Sequence, residues 1–327
     1  MLGVLLNQYL ENIRGMYSNT YPIYRVHSIS SSITKIFTIR SGCDQSILKP
    51  SDTNELNIHR QRVAAIASSL KVVDLICELV DARCPQTSSS PAVAGLILNR
   101  QHLLVLNKAD IADPGVTRDW LAFYKGQGKE TVAADAKNAG GFRELWKILT
   151  AQTQELHRSL QMKGRLPRGL RVAVLGIPNT GKSTYLNRLI GRQTMRTGDR
   201  PGVTRGAQWV HLNETVSVLD TPGIMSIARV GAEGKFRLGA IGAVEISGSR
   251  AEEICERLLD FLKEYYPAVV KNTLKIDPAS CSLEAIACAK GFLVSSGLPD
   301  IQRASDFLLD QFRSGKLGGI SLERPLS

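Results

Sequence analysis

The chain is poor in several features that would define its class. Its six cysteines (Cys43, Cys77, Cys84, Cys255, Cys281 and Cys288) are scattered, and no two stand in a CxxC spacing. A disulfide scaffold is excluded and a structural zinc site is not expected. The five histidines lie far apart and form no metal-ligand pattern. No apolar run reaches the ~18 residues that a membrane-spanning helix needs. Internal repeats and low-complexity tracts are absent. What remains is an ordinary globular composition, 43% apolar and 22% charged over 327 residues, enough for two domains.

Acidic residues are the next scarcity. The net charge is +11, and it is unevenly spread. Residues 1–50 carry +3, 51–169 carry +4, 170–249 carry +5, and 250–327 carry −1. The first forty residues hold one acid, Glu11, against Arg14, Arg25, Lys35 and Arg40, with serines and apolar residues interspersed. That pattern is expected of an organellar transit peptide, mitochondrial first and chloroplast as the alternative. The densest basic stretch runs from His157 to Asn213, where Asp199 is the single acid. Such an excess favours a polyanionic partner, with Arg192 and Arg196 as test positions; scattered solvated arginines on helix faces are the competing reading.

Near-continuous apolar runs at 72–81 (VVDLICELVD), 102–106 (HLLVL), 131–134, 171–175 (RVAVL) and 216–219 read as buried parallel strands. Helical patterns lie between them, at 116–125, 141–160 and 181–190. Strands alternating with helices predict a doubly wound, mostly parallel α/β sheet. The alternation stops near Arg250, and 251–266 and 301–313 each carry one apolar helical stripe. The expected organisation is a flexible N-terminus over 1–50, an α/β domain over 51–249, and a small all-α domain over 250–327. The stretch 224–244, with Gly231, Gly234, Gly239 and Gly242, is expected to be a mobile loop leading into that tail.

Five short motifs carry chemistry. Residues 176–183 read GIPNTGKS directly after a strand and before a helix, which is the setting of a phosphate-binding loop. Its members Asn179, Thr180, Gly181, Lys182, Ser183 and Thr184 would cradle phosphates with backbone N–H groups. Lys182 would reach the β- and γ-phosphates, and Ser183 would hold Mg²⁺. Residues 220–223 read DTPG. Asp220 would bind Mg²⁺ through water, and the Gly223 N–H would meet the γ-phosphate. Between them, Thr204 in RPGVTR is the candidate second Mg²⁺ ligand. Residues 107–110 read NKAD, after the strand HLLVL. The Asp110 carboxylate can accept both the ring N–H and the exocyclic amine of guanine, a pair adenine lacks, so GTP is selected over ATP. Asn107 would brace the loops and Lys108 would lie along the base, with Ala109 between them. Further on, Asp135 and Ala136 of DAK stand where a backbone N–H could meet the guanine carbonyl.

The order is unusual, because NKAD ends 66 residues before the phosphate loop begins. All motifs still fall at strand carboxyl ends, where α/β sheets bind ligands. A circular permutation satisfies both facts. NKAD, GIPNTGKST, TGDRPGVTRGAQW and LDTPGI in that order, with VDARCPQTSSSP upstream, make the chain resemble the YlqF/YawG family of circularly permuted GTPases. It is most similar to the mitochondrial ribosome-associated GTPases and their bacterial counterparts. The resemblance runs from about Leu56 to GKLGGISLERP at the end.

The resemblance implies a circularly permuted P-loop GTPase domain followed by a small helical domain. It implies slow GTP hydrolysis to GDP, Mg²⁺ dependence, and maturation of the large ribosomal subunit through contact with ribosomal RNA and proteins, as a monomer. Peripheral association with the inner membrane stays open. Ile224 follows DTPG where many GTPases carry a water-orienting Gln, and related enzymes recruit another residue and K⁺. Asn179 matches their K⁺-ligating Asn. His59, in NELNIHRQR, is near the position of the family's alternative catalytic His, but the Pro-Gly that precedes it there is missing. A solvated His at a helix start is the competing reading. An RNA-binding module or translational regulator that uses GTP mainly as a structural ligand is the alternative function.

Overall fold

The computed structural model describes residues 66–89, 97, 100–138, 140–191, 208–221 and 230–326. These lie within one compact unit, Pro50–Ser327. Among the described residues six strands form a single sheet: β1 Leu75–Asp81, β2 Gln101–Asn107, β3 Glu130–Ala133, β4 Leu170–Leu175, β5 Gln208–His211 and β6 Val216–Asp220. Their spatial order is β3-β2-β1-β4-β6-β5. Every pairing is parallel except β5 with β6.

Helices cover both faces, so the central strands are buried on both sides. All seven residues of β1 are buried, which is why its sequence is a continuous apolar run rather than an alternation. Leu75, Cys77 and Leu79 pack with Phe142, Leu145, Tyr185 and Leu186, residues of α2 (Phe142–Met162) and α3 (Lys182–Ile190). Val80 faces the other way, onto Val116, Trp120 and Tyr124 of α1 (Pro114–Gly126). Asp113 starts α1 by accepting from the amides of Gly115 (2.8 Å) and Val116 (3.2 Å), with Pro114 in the first turn.

The C-terminal region is helical, as the apolar stripes predict: α4 Ala232–Ala240, α5 Ser249–Tyr265, α6 Leu283–Lys290 and α7 Ile301–Ser314. α4 corrects the expectation of a mobile loop over its part of 224–244. Phe236 and Leu238 are buried in the same apolar cluster as Leu258 of α5 and Leu308 and Phe312 of α7. Tertiary burial outweighs the low helix propensity of Gly234 and Gly239. The antiparallel edge strand β5 and the short helix α6 are further elements that periodicity did not reveal.

Candidate active site

The chemistry-bearing motifs sit at one edge of the sheet, at the carboxyl ends of β1, β2, β4 and β6. β1 stands between β2 and β4, so the loop after β2 must reach over the end of β1 to meet the loop after β4. It does so. Asn107 Nδ2 donates to the Thr180 carbonyl at 2.7 Å, and Lys108 Nζ donates to the Asn179 carbonyl at 2.6 Å. The approach requires Gly181, where a Cβ would lie 2.6 Å from Asn107 Nδ2 and where φ is +87°. Lys108 and Asn179 have φ of +62° and +60°, two of the three non-glycine residues with positive φ among those described. Left-handed backbone costs about 1–2 kcal/mol per residue, and the hydrogen bond between this pair helps to hold it. Motifs written in reversed order thus close on one cleft.

On the base side, the Ala109 N–H donates to Ala134 O at 3.0 Å, joining this loop to the one after β3. Asp110 is exposed. Partial burial of its carboxyl, and then the neighbouring Asp135, raise its pKa above the usual carboxylate value. The Asp135 carboxylate accepts from the amides of Lys137 (2.8 Å) and Asn138 (3.1 Å), so it shapes the turn in which Ala136 lies. Beneath Lys108 lies Asp81, whose Oδ2 is 3.2 Å from Nζ.

On the phosphate side, Lys182 is buried and its Nζ donates to Ile177 O at 2.8 Å, curling onto its own loop. Burial lowers its pKa to about 8; Lys108 pushes the same way and Asp220 opposes. Thr180 Oγ1 donates to the same carbonyl at 3.0 Å. Asp220 is buried, and among the described residues neither carboxylate oxygen has a partner that meets hydrogen-bond geometry. Burial raises its pKa to about 6 against the pull of Lys182. A buried carboxylate left unsatisfied is costly unless a cation or donor completes it. Magnesium fits these residues: Asp220 and Ser183, in the first turn of α3, would hold it. When bound, the ion neutralises charge on the phosphates. A phosphate beside Lys182 likewise favours its charged form.

Comparison with known proteins decides what this cleft is. Residues 171–266 match the family model described as 50S ribosome-binding GTPase. Ribosome biogenesis GTPase A of Priestia megaterium is 33% identical over 265 residues, covering 80% of this chain and 92% of its own. The chain belongs to the ribosome biogenesis GTPase A family. Its relative of the same name from Thermotoga maritima is 31% identical over 261 residues, 80% of this chain and 89% of that one. The GNP-bound crystal structure of YlqF from T. maritima aligns with a TM-score of 0.57 at 28% identity, over 82% of this chain and 98% of that one. The fold is therefore the circularly permuted P-loop GTPase fold with a helical C-terminal region. The enzyme hydrolyses GTP, and GTP and GDP are its ligands.

Several sequence-predicted residues lie outside the described residues: His59, Thr204, Gly223 and Ile224, together with Arg192, Arg196, Arg200 and Arg205 of the basic stretch. Within the described part of that stretch, Arg168 is a correction to the picture of a free basic surface. Its guanidinium makes two 2.7 Å hydrogen bonds to the Asp74 carboxylate, anchoring the start of β4 to the start of β1. Lys163, Arg165, Arg171 and Arg188 are exposed. Sequence reasoning missed one contact of the phosphate loop. Asn179 Nδ2 donates to Gly242 O at 2.6 Å, tying the loop to the chain just past α4. No local signal marks that pairing across 63 residues.

Proposed function

We propose that this GTPase is an assembly factor of the mitochondrial large ribosomal subunit. It engages ribosomal RNA substantially through its GTPase domain and ribosomal proteins through its near-neutral helical region. The observation that carries the reading is the closure of the guanine-reading loop on the phosphate loop, Lys108 on Asn179 and Asn107 on Thr180. The names of the bacterial relatives and the family model's 50S description support the ribosomal partner. The acid-poor, Arg- and Ser-containing first forty residues support mitochondrial import. Lys182, Ser183, Asp220 and Thr204 stabilise the transferring phosphoryl group and its Mg²⁺, with K⁺ beside Asn179 as the activating cation and His59 as the candidate water-orienting residue.

Pull-down from mitochondrial extract with wild type and Lys182→Ala tests the partner. The wild type is expected to retain large-subunit particles when loaded with a non-hydrolysable GTP analogue, and Lys182→Ala to lose them. Purified large subunits are expected to stimulate hydrolysis. Retention without stimulation favours the alternative in which GTP is a structural ligand, and no retention ends the assembly reading. Equal hydrolysis rates in KCl and NaCl remove K⁺ from the account.

A further inference from the structure

We infer that Asp81, Arg83 and the C-terminal strap Leu317–Glu323 are positioning residues for guanine recognition, holding the loop that carries Lys108 and Asp110 in its binding geometry. The inference rests on the GTPase assignment and goes beyond it to the base half of the cleft. Asp81 is the last residue of the intervening strand β1 and is fully buried. It sits under Lys108, and Arg83 supplies the second cation and most of its hydrogen bonds. The Arg83 guanidinium closes on it with Nε to Oδ1 at 2.9 Å and Nη2 to Oδ2 at 2.8 Å, and the Arg83 amide donates at 3.1 Å. Arg83 is itself buried against the end of α7: Nη1 donates to Phe312 O at 3.2 Å, and Cζ lies 4.7 Å from the Phe312 ring centre. Lys108, Asp81, Arg83 and Phe312 therefore form one continuous chain from the base loop to the helical region.

The strap secures the same loop from its other end. Ile320 N donates to Ile111 O at 3.2 Å, Asp113 N donates to Ser321 Oγ at 3.1 Å, and Leu322 N donates to Arg83 O at 2.7 Å. A Cβ at Gly319 would lie 2.7 Å from Ala112 O, so the strap backbone runs directly against the residues that follow Asp110. Glu323 locks the strap in place. Its carboxylate accepts from Gln86 N (2.8 Å), Thr87 N (3.1 Å), Thr87 Oγ1 (2.7 Å) and Arg237 Nη1 (3.0 Å), and its carbonyl accepts from Trp120 Nε1 at 3.1 Å. Tyr266 bridges strap and loop, its hydroxyl lying 3.2 Å from Asp113 Oδ2 and accepting from Ser321 N at 3.1 Å. None of these hydrogen bonds involves Lys182 or Asp220. The strap thus bears first on the base loop and reaches the phosphate loop only through that loop, by Asn107 on Thr180 and Lys108 on Asn179. Guanine selection by Asp110 depends on where its carboxylate stands, and a loosened loop loses the contribution of the exocyclic amine first.

The test compares GDP with inosine diphosphate, which lacks that amine, in calorimetric binding to the full chain. Wild type, Glu323→Ala and Tyr266→Phe are measured, together with steady-state GTP hydrolysis. Glu323→Ala is expected to raise the GDP Kd roughly tenfold and Tyr266→Phe about threefold. Both narrow the ratio between the two ligands and raise KM with kcat moving less than about twofold. A variant that melts earlier but keeps the wild-type GDP-to-IDP ratio overturns the inference, as does a fall in kcat with KM unchanged. If Glu323→Ala does not fold, Tyr266→Phe, which deletes only a half-buried hydroxyl, decides on the same criteria. A wild type that shows no preference for GDP over ADP sinks the GTPase assignment instead, a distinguishable result.

Discussion

The two halves of the nucleotide cleft are built on opposite terms. In the base half the charges are paired, Lys108 on Asp81, Asp81 on Arg83, Arg83 on the end of α7 and Glu323 on Arg237, and the buried atoms without a partner among the described residues are Asn107 Oδ1 and Arg237 Nε. In the phosphate half, Lys182 is turned onto a carbonyl of its own loop, and both oxygens of Asp220 lack a partner among the described residues. The base half is organised before a ligand arrives, so reading guanine needs little rearrangement. The phosphate half is completed by what it binds. Mg²⁺ and polyphosphate should therefore stabilise the fold more than the base alone, by linkage.

The largest way to break the comparison is to unbalance the matched half. Arg83→Ala leaves the buried Asp81 with Lys108 as its one cationic partner and removes the hydrogen bonds of Arg83; removing one member of such a buried pair costs about 3–5 kcal/mol. Urea denaturation is expected to show that loss. Asp81→Leu combined with Arg83→Ala should restore much of the stability while GDP affinity stays low, because Lys108 has lost its support. A double variant as unstable as Arg83→Ala alone would mean that the pair matters for packing and not for charge balance.

The contrast between the halves also explains what could be read from the sequence. The phosphate loop, NKAD and DTPG each place their chemistry within a few residues, next to apolar runs that mark the strands, so both their identity and their position were legible. The parallel sheet followed from those same runs. The partners of the base half were not legible. Arg83 meets the Phe312 carbonyl and Glu323 meets Thr87 across separations of 229 and 236 residues, and no local pattern encodes such pairings. The strap lies within the tail GKLGGISLERP, whose sequence carries no sign of what it packs against. α4 was masked by its glycines, since burial of Phe236 and Leu238 is a tertiary fact. β5 was hidden because an antiparallel edge strand of four residues carries little apolar signal.

Acid sharpens the comparison because the two buried aspartates have opposite signs. Burial pushes the Asp81 pKa up, but the charges of Arg83 and Lys108 and the hydrogen bonds from Arg83 outweigh it and hold the carboxyl well below the usual range. Its contribution to stability is present above the unfolded-state pKa, about 4, and is lost as pH falls below that. Asp220 is the reverse, with a folded pKa of about 6. Between about pH 4 and 6 the folded state holds a proton that the unfolded state has released, so its penalty grows as pH rises and is fully present at pH 7. Asp220→Asn is therefore expected to stabilise the nucleotide-free protein at pH 7 by about 1–3 kcal/mol. The gain should vanish near pH 4, while Mg²⁺-dependent hydrolysis is lost. Thermal melts across that range check it, and a gain independent of pH would place the effect outside ionisation.

The smallest expected effect tests whether unsatisfied polarity in the phosphate half is confined to groups that await a ligand. Tyr185, on the helix that follows the phosphate loop, is fully buried, packs on Phe142 at 5.0 Å between ring centres, and has a hydroxyl with no hydrogen-bond partner among the described residues. A hydroxyl in that position gains nothing from burial and keeps its desolvation cost. Tyr185→Phe retains the ring and the packing, so it is expected to be neutral or stabilising by up to about 1 kcal/mol, with nucleotide affinity unchanged. Destabilisation beyond that in chemical denaturation would show that the hydroxyl bonds to a buried water. Among the described residues of the phosphate half, the shortage of partners would then belong to Asp220.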